Sequence, residues 1–166
     1  MQLFWSLLLV IGSIIFVAFS FVILFGAPFL PTLKAQIPKA LQLIDLKPGE
    51  TLLELGSGDG RVLIAAAEQG LRVVGYELNP ILFLYSWLKT RRYGGQVRVI
   101  WGNYWFKEWP PVDGIFVFLL QPYMRRLNKK IVHSCRRPVK VVSFAFHIPG
   151  HQPTKTNGGL FLYSYR

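Results

Sequence analysis

Hydrophobic and polar positions divide the chain into one long apolar segment followed by a series of short alternating ones. Leu3 to Phe25 is apolar apart from one glycine and three serines, and no charged side chain occurs before Lys34. At about 1.5 Å per residue this segment measures roughly 35 Å as a helix, enough to cross a hydrocarbon layer of roughly 30 Å. The pattern therefore predicts a transmembrane helix, ended by Gly26 and Pro28.

The flanks of this segment indicate an anchor that stays in place. A cleaved signal peptide would have a positively charged start and an apolar run of about 7 to 15 residues, and neither is present. Lys34, Lys39 and Lys47 follow the segment, so the positive-inside rule places the rest of the chain on the cytoplasmic or matrix side. We expect a single-pass membrane protein, with residues 1–33 as anchor and linker and residues 34–166 as the catalytic domain.

The remaining residues alternate between strand-like and helix-like patterns. We predict an α/β fold, a compact doubly wound sheet of parallel strands with right-handed crossovers. Helices are predicted at 35–46, 61–69 and 80–92, and strands at 51–55, 72–76, 96–101, 114–120, 139–146 and 160–165. A further basic amphipathic helix carries the apolar stripe Met124, Leu127, Ile131 and Cys135.

Charge narrows the choice of partners. The chain has 19 Lys or Arg residues and 8 Asp or Glu residues, and twelve of the basic residues lie between Lys89 and Lys140. Such a surface suits anionic headgroups beside a membrane segment, which makes a bilayer with anionic lipid the expected partner. Nucleic acid competes for the same charge, and a basic face that only solubilises the domain is the plain alternative.

Metal chemistry is not expected. The single cysteine, Cys135, excludes a disulfide framework within the chain and any multi-cysteine zinc site. His147 and His151 are four residues apart, but Pro149 and Gly150 between them prevent a helix, and no third ligand is evident. We interpret both as surface histidines and predict no metal site.

The candidate chemistry lies at the carboxyl ends of the first two predicted strands, where ligands bind in doubly wound sheets. Glu77, at the second strand end, is placed to accept hydrogen bonds from both hydroxyls of a ribose. The first strand ends in a glycine-rich loop whose backbone can turn sharply against a ligand. Its residues are Glu54, Gly56, Ser57, Gly58, Asp59 and Gly60.

The detail of this loop decides between two nucleoside cofactors. Dinucleotide-binding proteins carry G-x-G-x-x-G and hold a pyrophosphate at the helix N-terminus. Here the spacing is G-x-G-x-G, and the carboxylates of Glu54 and Asp59 would repel a pyrophosphate. They suit a ligand with positive charge, such as the amino group and sulfonium of S-adenosylmethionine.

At this point the sequence resembles class I methyltransferases, and more closely the membrane-anchored lysine methyltransferases that act on adenine nucleotide translocase and on the c-subunit of ATP synthase, together with their prokaryotic relatives. The likeness runs from about Ala27 to the C-terminus. It is carried by Pro28 to Pro31, Lys34, Gln36, Leu55 to Arg61, Ile64 to Ala67, Gly75 to Pro80, Tyr85 and Ser86.

This resemblance implies a seven-stranded Rossmann-like fold, S-adenosyl-L-methionine as donor and a lysine of a membrane protein as acceptor. Glu54 to Gly60 would then hold the methionine part, Glu77 the ribose and Asn103 an edge of the adenine. Leu78 and Tyr104 would also bind the cofactor. Asn103 stands where the family carries an acid. The acceptor would be met by Gln121, Pro122 and Tyr123, the segment that follows the fourth strand.

Two aromatic residues near that segment have two interpretations. Trp105 and Tyr123 can form a desolvated pocket that favours a methylammonium product through cation–π contact, or they can be ordinary core residues. Two other functions also stay open. One is transfer to a lipid, quinone or nucleic acid, although the Asn/Asp-Pro-Pro-aromatic segment expected of an adenine-N6 methyltransferase is missing. The other is a tethered cofactor-binding module without turnover.

Overall fold

The computed structural model describes residues 1–25 and 30–165. For residues 18 and 21–25 it describes the backbone only. A helix forms over Gln2–Phe25, where the apolar segment predicts one. Among the described residues, no helix combines the length and the hydropathy that crossing a bilayer requires, so the predicted transmembrane helix is not supported. Gly26 and Pro28, predicted to end it, lie outside the described residues.

Five α-helices, one 3-10 helix (Arg91–Gln96) and seven strands make up the described part of the chain, in the alternating order that the sequence predicts. The helices are α1 (Gln2–Phe25), α2 (Gln36–Ile44), α3 (Arg61–Glu68), α4 (Pro80–Thr90) and α5 (Gln121–Ser134). The strands are β1 (Thr51–Leu55), β2 (Arg72–Glu77), β3 (Val97–Trp101), β4 (Gly114–Val117), β5 (Val139–Phe144), β6 (Lys155–Asn157) and β7 (Leu160–Tyr165).

The seven strands form one sheet in the order β3-β2-β1-β4-β5-β7-β6. The first five strands pair in parallel, as predicted, so the carboxyl ends of β1 and β2 lie side by side at one edge. The chain order reverses between β1 and β4, which is the position where α/β sheets of this kind open a crevice for ligands. The sheet therefore brings Glu54 and Glu77 to one place.

The expectation of a wholly parallel sheet is wrong at the C-terminal edge, where β7 runs antiparallel to both β5 and β6. Strand β6 is absent from the prediction. A parallel pair needs a crossover of about a dozen residues, usually containing a helix, whereas β6 and β7 are joined directly by a tight hairpin. Gly158 and Gly159, both with positive φ, form its two-residue turn.

Hydrophobic layers cover both faces of the sheet. On one face the stripe predicted for α5, with Met124 and Leu127, packs against β1, β4 and β5. On the other face α2 and α3 bury Ile44 and Leu63 against the same strands. Both faces of the central strands are thus removed from water, and their near-continuous apolar sequences follow from that burial.

Replacing Gly75 in β2 by alanine is expected to destabilise the fold by about 1 to 3 kcal/mol, because the core has no room for the added methyl group. A Cβ at this position would lie 2.8 Å from Leu63 Cδ2 and 2.9 Å from Ser57 Cβ. Gly95→Ala is the matched control, since its Cβ would meet nothing within 4 Å. Chemical denaturation of both variants measures the difference, and equal midpoints would contradict the packing.

Candidate functional site

The glycine-rich loop joins the end of β1 to the start of α3 through a backbone path that only glycine adopts easily. Gly56, Gly58 and Gly60 have φ values of 94°, 53° and 78°. At Gly60 a Cβ would also lie 3.1 Å from the Cβ of Ser86 in α4. The three glycines therefore stand at positions with positive φ, which other residues adopt only at a cost. The predicted order of strand, turn and helix is confirmed.

Glu77 holds this loop against the end of β2. Its Oε2 accepts a hydrogen bond from the Gly58 amide at 2.7 Å, and its Oε1 accepts one from the Asn79 amide at 2.8 Å. The side chain is only 6% exposed. Burial raises the pKa of Glu77, and the hydrogen bonds from these two amides oppose that rise. The carboxylate is thus fixed in position, with further lone pairs for a ligand.

Glu54 lies at the end of β1 as a buried carboxyl without a hydrogen-bond partner for its Oε2. It is 4% exposed. Burial raises its pKa well above the usual value, and the negative charges of Glu77 and Asp59 raise it further. A positively charged ligand would reverse both effects, because it would stabilise the ionised form. Glu54 is therefore the group that indicates a cationic ligand most strongly.

The sequence suggests that the Asp59 carboxylate faces a positively charged ligand. In the structure this carboxylate is paired with Arg61. The Arg61 guanidinium donates to it from Nε at 2.9 Å and from Nη2 at 2.7 Å. Partial burial works against ionisation, yet the hydrogen bonds and charge of Arg61 hold the pKa of Asp59 below its usual value. The preference for a cation therefore depends on Glu54 and Glu77 more than on Asp59.

Arg61 also ties the N-terminal segment to the loop, since its Nη1 donates to the Thr32 carbonyl at 3.0 Å. Thr32 is buried, and it lines the cavity together with Leu30 and Pro31. Residues that the sequence assigns to the anchor and linker thus form part of the cavity wall. No local pattern indicates this contact, because it joins positions 29 residues apart.

One cavity collects most of the predicted cofactor residues. Of the ten predicted, nine line it, namely Glu54, Gly56, Ser57, Gly58, Asp59, Glu77, Leu78, Asn103 and Tyr104. Gly60 lies behind the loop, against α4. The cavity lining also includes apolar residues that the sequence did not indicate, among them Leu82, Phe116, Phe118 and Leu119. In the sequence these residues are apolar positions of a predicted helix and a predicted strand, and such positions do not indicate ligand binding.

The predicted acceptor residues are not part of this wall. Gln121 and Pro122 are exposed at the start of α5, where Gln121 Nε2 donates to the His147 carbonyl at 3.3 Å. Tyr123 is half-buried and packs near Trp105, with ring centroids 6.5 Å apart. Trp105 does line the cavity. Of the residues that the sequence places near the acceptor, Trp105 therefore lines the cavity, and Gln121, Pro122 and Tyr123 do not.

Trp105 already has a cation beside its ring. The Arg126 guanidinium lies 4.5 Å from the Trp105 ring centroid and 5.7 Å from that of Phe106. The interpretation of Trp105 as part of a methylammonium pocket stays a prediction, and a ligand on that ring face would compete with Arg126. His147 and His151 are exposed, as expected, and pack against Phe161 and Tyr165.

The arrangement suits a nucleoside with a positively charged substituent. Glu77 provides acceptors for hydroxyl donors, and Glu54 provides a buried carboxyl without a hydrogen-bond donor on one oxygen. Ser57 Oγ is likewise buried without a hydrogen-bond partner. A pyrophosphate beside the glycine-rich loop would meet the buried carboxyl of Glu54, and its negative charge disfavours a second anion there. The residues present therefore fit the sulfonium nucleoside better than the dinucleotide.

Arg61→Ala is expected to lower cofactor affinity roughly fivefold, about 1 kcal/mol for a partly exposed ion pair and its added hydrogen bond. The reason is that Arg61 joins the glycine-rich loop, through Asp59, to the cavity wall at Thr32, and the variant loses this connection. Arg92→Ala is the control, because its ion pair with Glu68 at 3.8 Å is exposed and remote from the cavity. Calorimetric titration compares the two, and equal affinities would contradict the tether.

Comparison with known proteins adds independent information. Residues 54–155 match the family described as "ANTKMT methyltransferase domain". The chain is 32% identical over 133 residues to the ATP synthase C-subunit lysine N-methyltransferase of Homo sapiens, covering 79% of this chain and 57% of that protein. It is 32% identical over 134 residues to the adenine nucleotide translocase lysine N-methyltransferase of Mus musculus, covering 79% and 58%. The chain thus spans little more than half the length of these relatives.

Solved structures show the same fold. An RNA methyltransferase from Salinibacter ruber, in complex with S-adenosyl-L-homocysteine, superposes with a TM-score of 0.74 and 27% sequence identity. The match covers 82% of this chain and 92% of that one. The seven-stranded Rossmann-like fold of a class I methyltransferase is therefore confirmed.

Proposed function

The chain belongs to the ANTKMT methyltransferase domain family, and from this premise we propose that it is an S-adenosylmethionine-dependent methyltransferase whose acceptor is a lysine side chain of a membrane protein. The observation that carries the proposal is the meeting of two buried carboxyls, Glu54 and Glu77, around a glycine-rich loop in one cavity. In this proposal the protein acts at a membrane, with its catalytic domain on the cytoplasmic or matrix side. The relatives' names support the lysine acceptor.

Each cavity residue has a role in this proposal that follows from its chemistry. S-adenosylmethionine supplies a methyl group already activated by the sulfonium charge. Glu77 accepts hydrogen bonds from the ribose hydroxyls, and Glu54 stabilises the positive charge of the ligand. Asn103 and Tyr104 contact the adenine. The chain thereby positions the donor, which is the main requirement of a direct transfer.

The acceptor amine must arrive without its proton. The pKa of a lysine is about 10.4 in water, and removal from water lowers it because burial disfavours the charged form. The apolar wall with Phe116, Phe118 and Leu119 provides such an environment. It also excludes water from the donor. No residue of the chain needs to act as a dedicated base in this scheme, because the amine can lose its proton to solvent before it enters.

The test is to incubate membranes with the purified chain and S-adenosylmethionine labelled in its methyl group, and then to locate the label. Methyl-lysine in a hydrolysed membrane protein is the expected result. Label in lipid, quinone or RNA would show that the acceptor is one of these molecules and not a protein lysine. The basic charge of the chain and the similarity to the Salinibacter ruber RNA methyltransferase are the observations that support this alternative. Cofactor binding without any label would favour a module without turnover.

A further inference from the structure

Helix α4 exposes four of its large apolar side chains and buries its small polar ones. Leu84 and Tyr85 are 52% and 50% exposed, and Trp87 and Leu88 are each 45% exposed. The buried residues of this helix are Ser86 and Thr90. A helix on a water-facing surface normally exposes polar side chains and buries apolar ones. The exposed face of α4 therefore suits contact with an apolar partner better than contact with water.

Close packing against the glycine-rich loop fixes this orientation. Ser86 lies so near Gly60 that a Cβ on the glycine would be 3.1 Å from its own Cβ, and Thr90 Cγ2 would be 3.6 Å away. The Thr90 hydroxyl donates to the Ser86 carbonyl at 2.8 Å. Only small side chains fit this contact. The large apolar residues of α4 therefore cannot turn inward without moving the cofactor loop.

The exposed side of α4 continues onto the end of β3. Trp101 is 59% exposed, stacks on Phe83 with ring centroids 6.4 Å apart, and donates from its indole Nε1 to the Leu78 carbonyl at 3.1 Å. We define the α4 surface as Leu84, Tyr85, Trp87, Leu88 and Trp101. Large apolar side chains exposed together in this way mark an interaction site.

Helix α1 borders the α4 surface. Ile14 and Val17 of α1 line a crevice together with Pro80 and Trp101. The large apolar side chains described along α1 are themselves exposed, from Leu3 to Phe19. Two elements with water-exposed apolar side chains thus meet at one place on the molecule.

The chain segment that carries the α4 surface has charges of one sign. Between Glu77 and Glu108 the chain has five Lys or Arg residues and no Asp or Glu. Lys89 Nζ lies 4.9 Å from the centroid of the Tyr85 ring, Arg91 is exposed beyond the helix end, and Lys107 is exposed beside the crevice. Apolar and aromatic side chains bordered by cations are complementary to an anionic bilayer, where Trp and Tyr lie at the headgroup level.

We propose that the α4 surface docks on an anionic lipid bilayer, with Leu84, Trp87 and Leu88 at the boundary between headgroups and acyl chains. Leu78 lines both the crevice beside this surface and the cofactor cavity. Docking therefore places the cavity at the membrane surface, where a membrane-protein segment is accessible. The docking surface itself does not depend on methyl transfer, and it is distinct from a membrane-spanning segment.

The test uses the full chain with Cys135 replaced by serine and a nitroxide attached to one new cysteine. Leu84→Cys and Leu88→Cys report on the α4 surface, with Tyr85→Cys as a substitute if one of them fails to fold. Val132→Cys is the matched control, because Val132 is 64% exposed on α5, the helix that packs on the opposite face of the sheet from α3. Power-saturation spectroscopy measures collisions with oxygen and with a water-soluble nickel chelate.

In vesicles of phosphatidylcholine with about one-third phosphatidylglycerol, the ratio of oxygen to nickel collisions should rise several-fold at positions 84 and 88 relative to position 132. In vesicles of phosphatidylcholine alone this difference should be largely lost. An aqueous ratio at 84 and 88 in vesicle-bound protein would overturn the proposal. So would equal ratios in both lipids, or spin–spin broadening that grows with protein density and reveals a second copy on this face. None of these outcomes bears on methyl transfer, because no cofactor is present.

Discussion

Glu77→Ala is expected to weaken binding of S-adenosylmethionine by a factor of several hundred. The variant loses a buried carboxylate that would accept two ribose hydrogen bonds, each about 1.5 to 3 kcal/mol for a charged acceptor. It also releases the amides of Gly58 and Asn79, which Glu77 holds at 2.7 and 2.8 Å. The loop then loses the contact that joins it to β2, so part of the effect comes from disorder of the site.

Calorimetric titration of the full chain in detergent measures this loss. Glu68→Ala is the control, because Glu68 is an exposed acid on α3 outside the cavity. Circular dichroism on both variants establishes that the fold is retained. A folded Glu77→Ala protein with unchanged affinity would remove Glu77 from the binding site.

Glu54→Gln is expected to make the ligand-free protein more stable near neutral pH and the cofactor complex weaker. Removing a buried carboxyl whose Oε2 has no partner relieves a cost of about 1 to 3 kcal/mol, although the amide must find its own partners. The same change removes the negative charge that would face the cation. The variant therefore gains stability and loses cofactor affinity. This is the expected result where a residue needed for binding destabilises the fold.

The pH dependence of this effect has a definite sign. The pKa of Glu54 is raised in the folded protein, first by burial and then by Glu77 and Asp59. The folded state therefore holds the proton more tightly than the unfolded chain, and the wild type loses stability as the pH rises from the unfolded value of about 4.3 through the folded one. Glu54→Gln should lack this loss. Denaturation midpoints across the acid-to-neutral range measure it, and parallel curves would contradict it.

Local patterns predicted most of the sheet and most of the cavity. The strand, glycine loop and helix from Thr51 to Glu68 formed where expected, because the glycine spacing and the apolar runs act over a few residues. Glu54 and Glu77 met because parallel strand ends meet at one sheet edge. These are properties of chain geometry, and they need no knowledge of distant contacts.

Features that depend on distant contacts were not predictable from those patterns. Strand β6, Lys155–Asn157, is polar and exposed along its length, and it is a strand only because β7 pairs with it. The pairing of Asp59 with Arg61 needed the side-chain geometry. Helix α4 formed where a helix is predicted, with Asn79 as its N-cap, but the face that it buries depends on how closely Gly60 lets it approach.

Selection of a sulfonium nucleoside over a dinucleotide depends mainly on the buried carboxyl of Glu54, because Glu77 can serve the ribose of either ligand. Parallel calorimetric titrations of the full chain with S-adenosylmethionine and with NAD, repeated on Glu54→Gln, examine this selection. We expect saturable binding of S-adenosylmethionine that strengthens as the pH rises and Glu54 ionises, a weaker and less pH-dependent affinity in Glu54→Gln, and little uptake of NAD. Tighter binding of NAD, or binding of S-adenosylmethionine that Glu54→Gln leaves unchanged at every pH, would refute this role of Glu54.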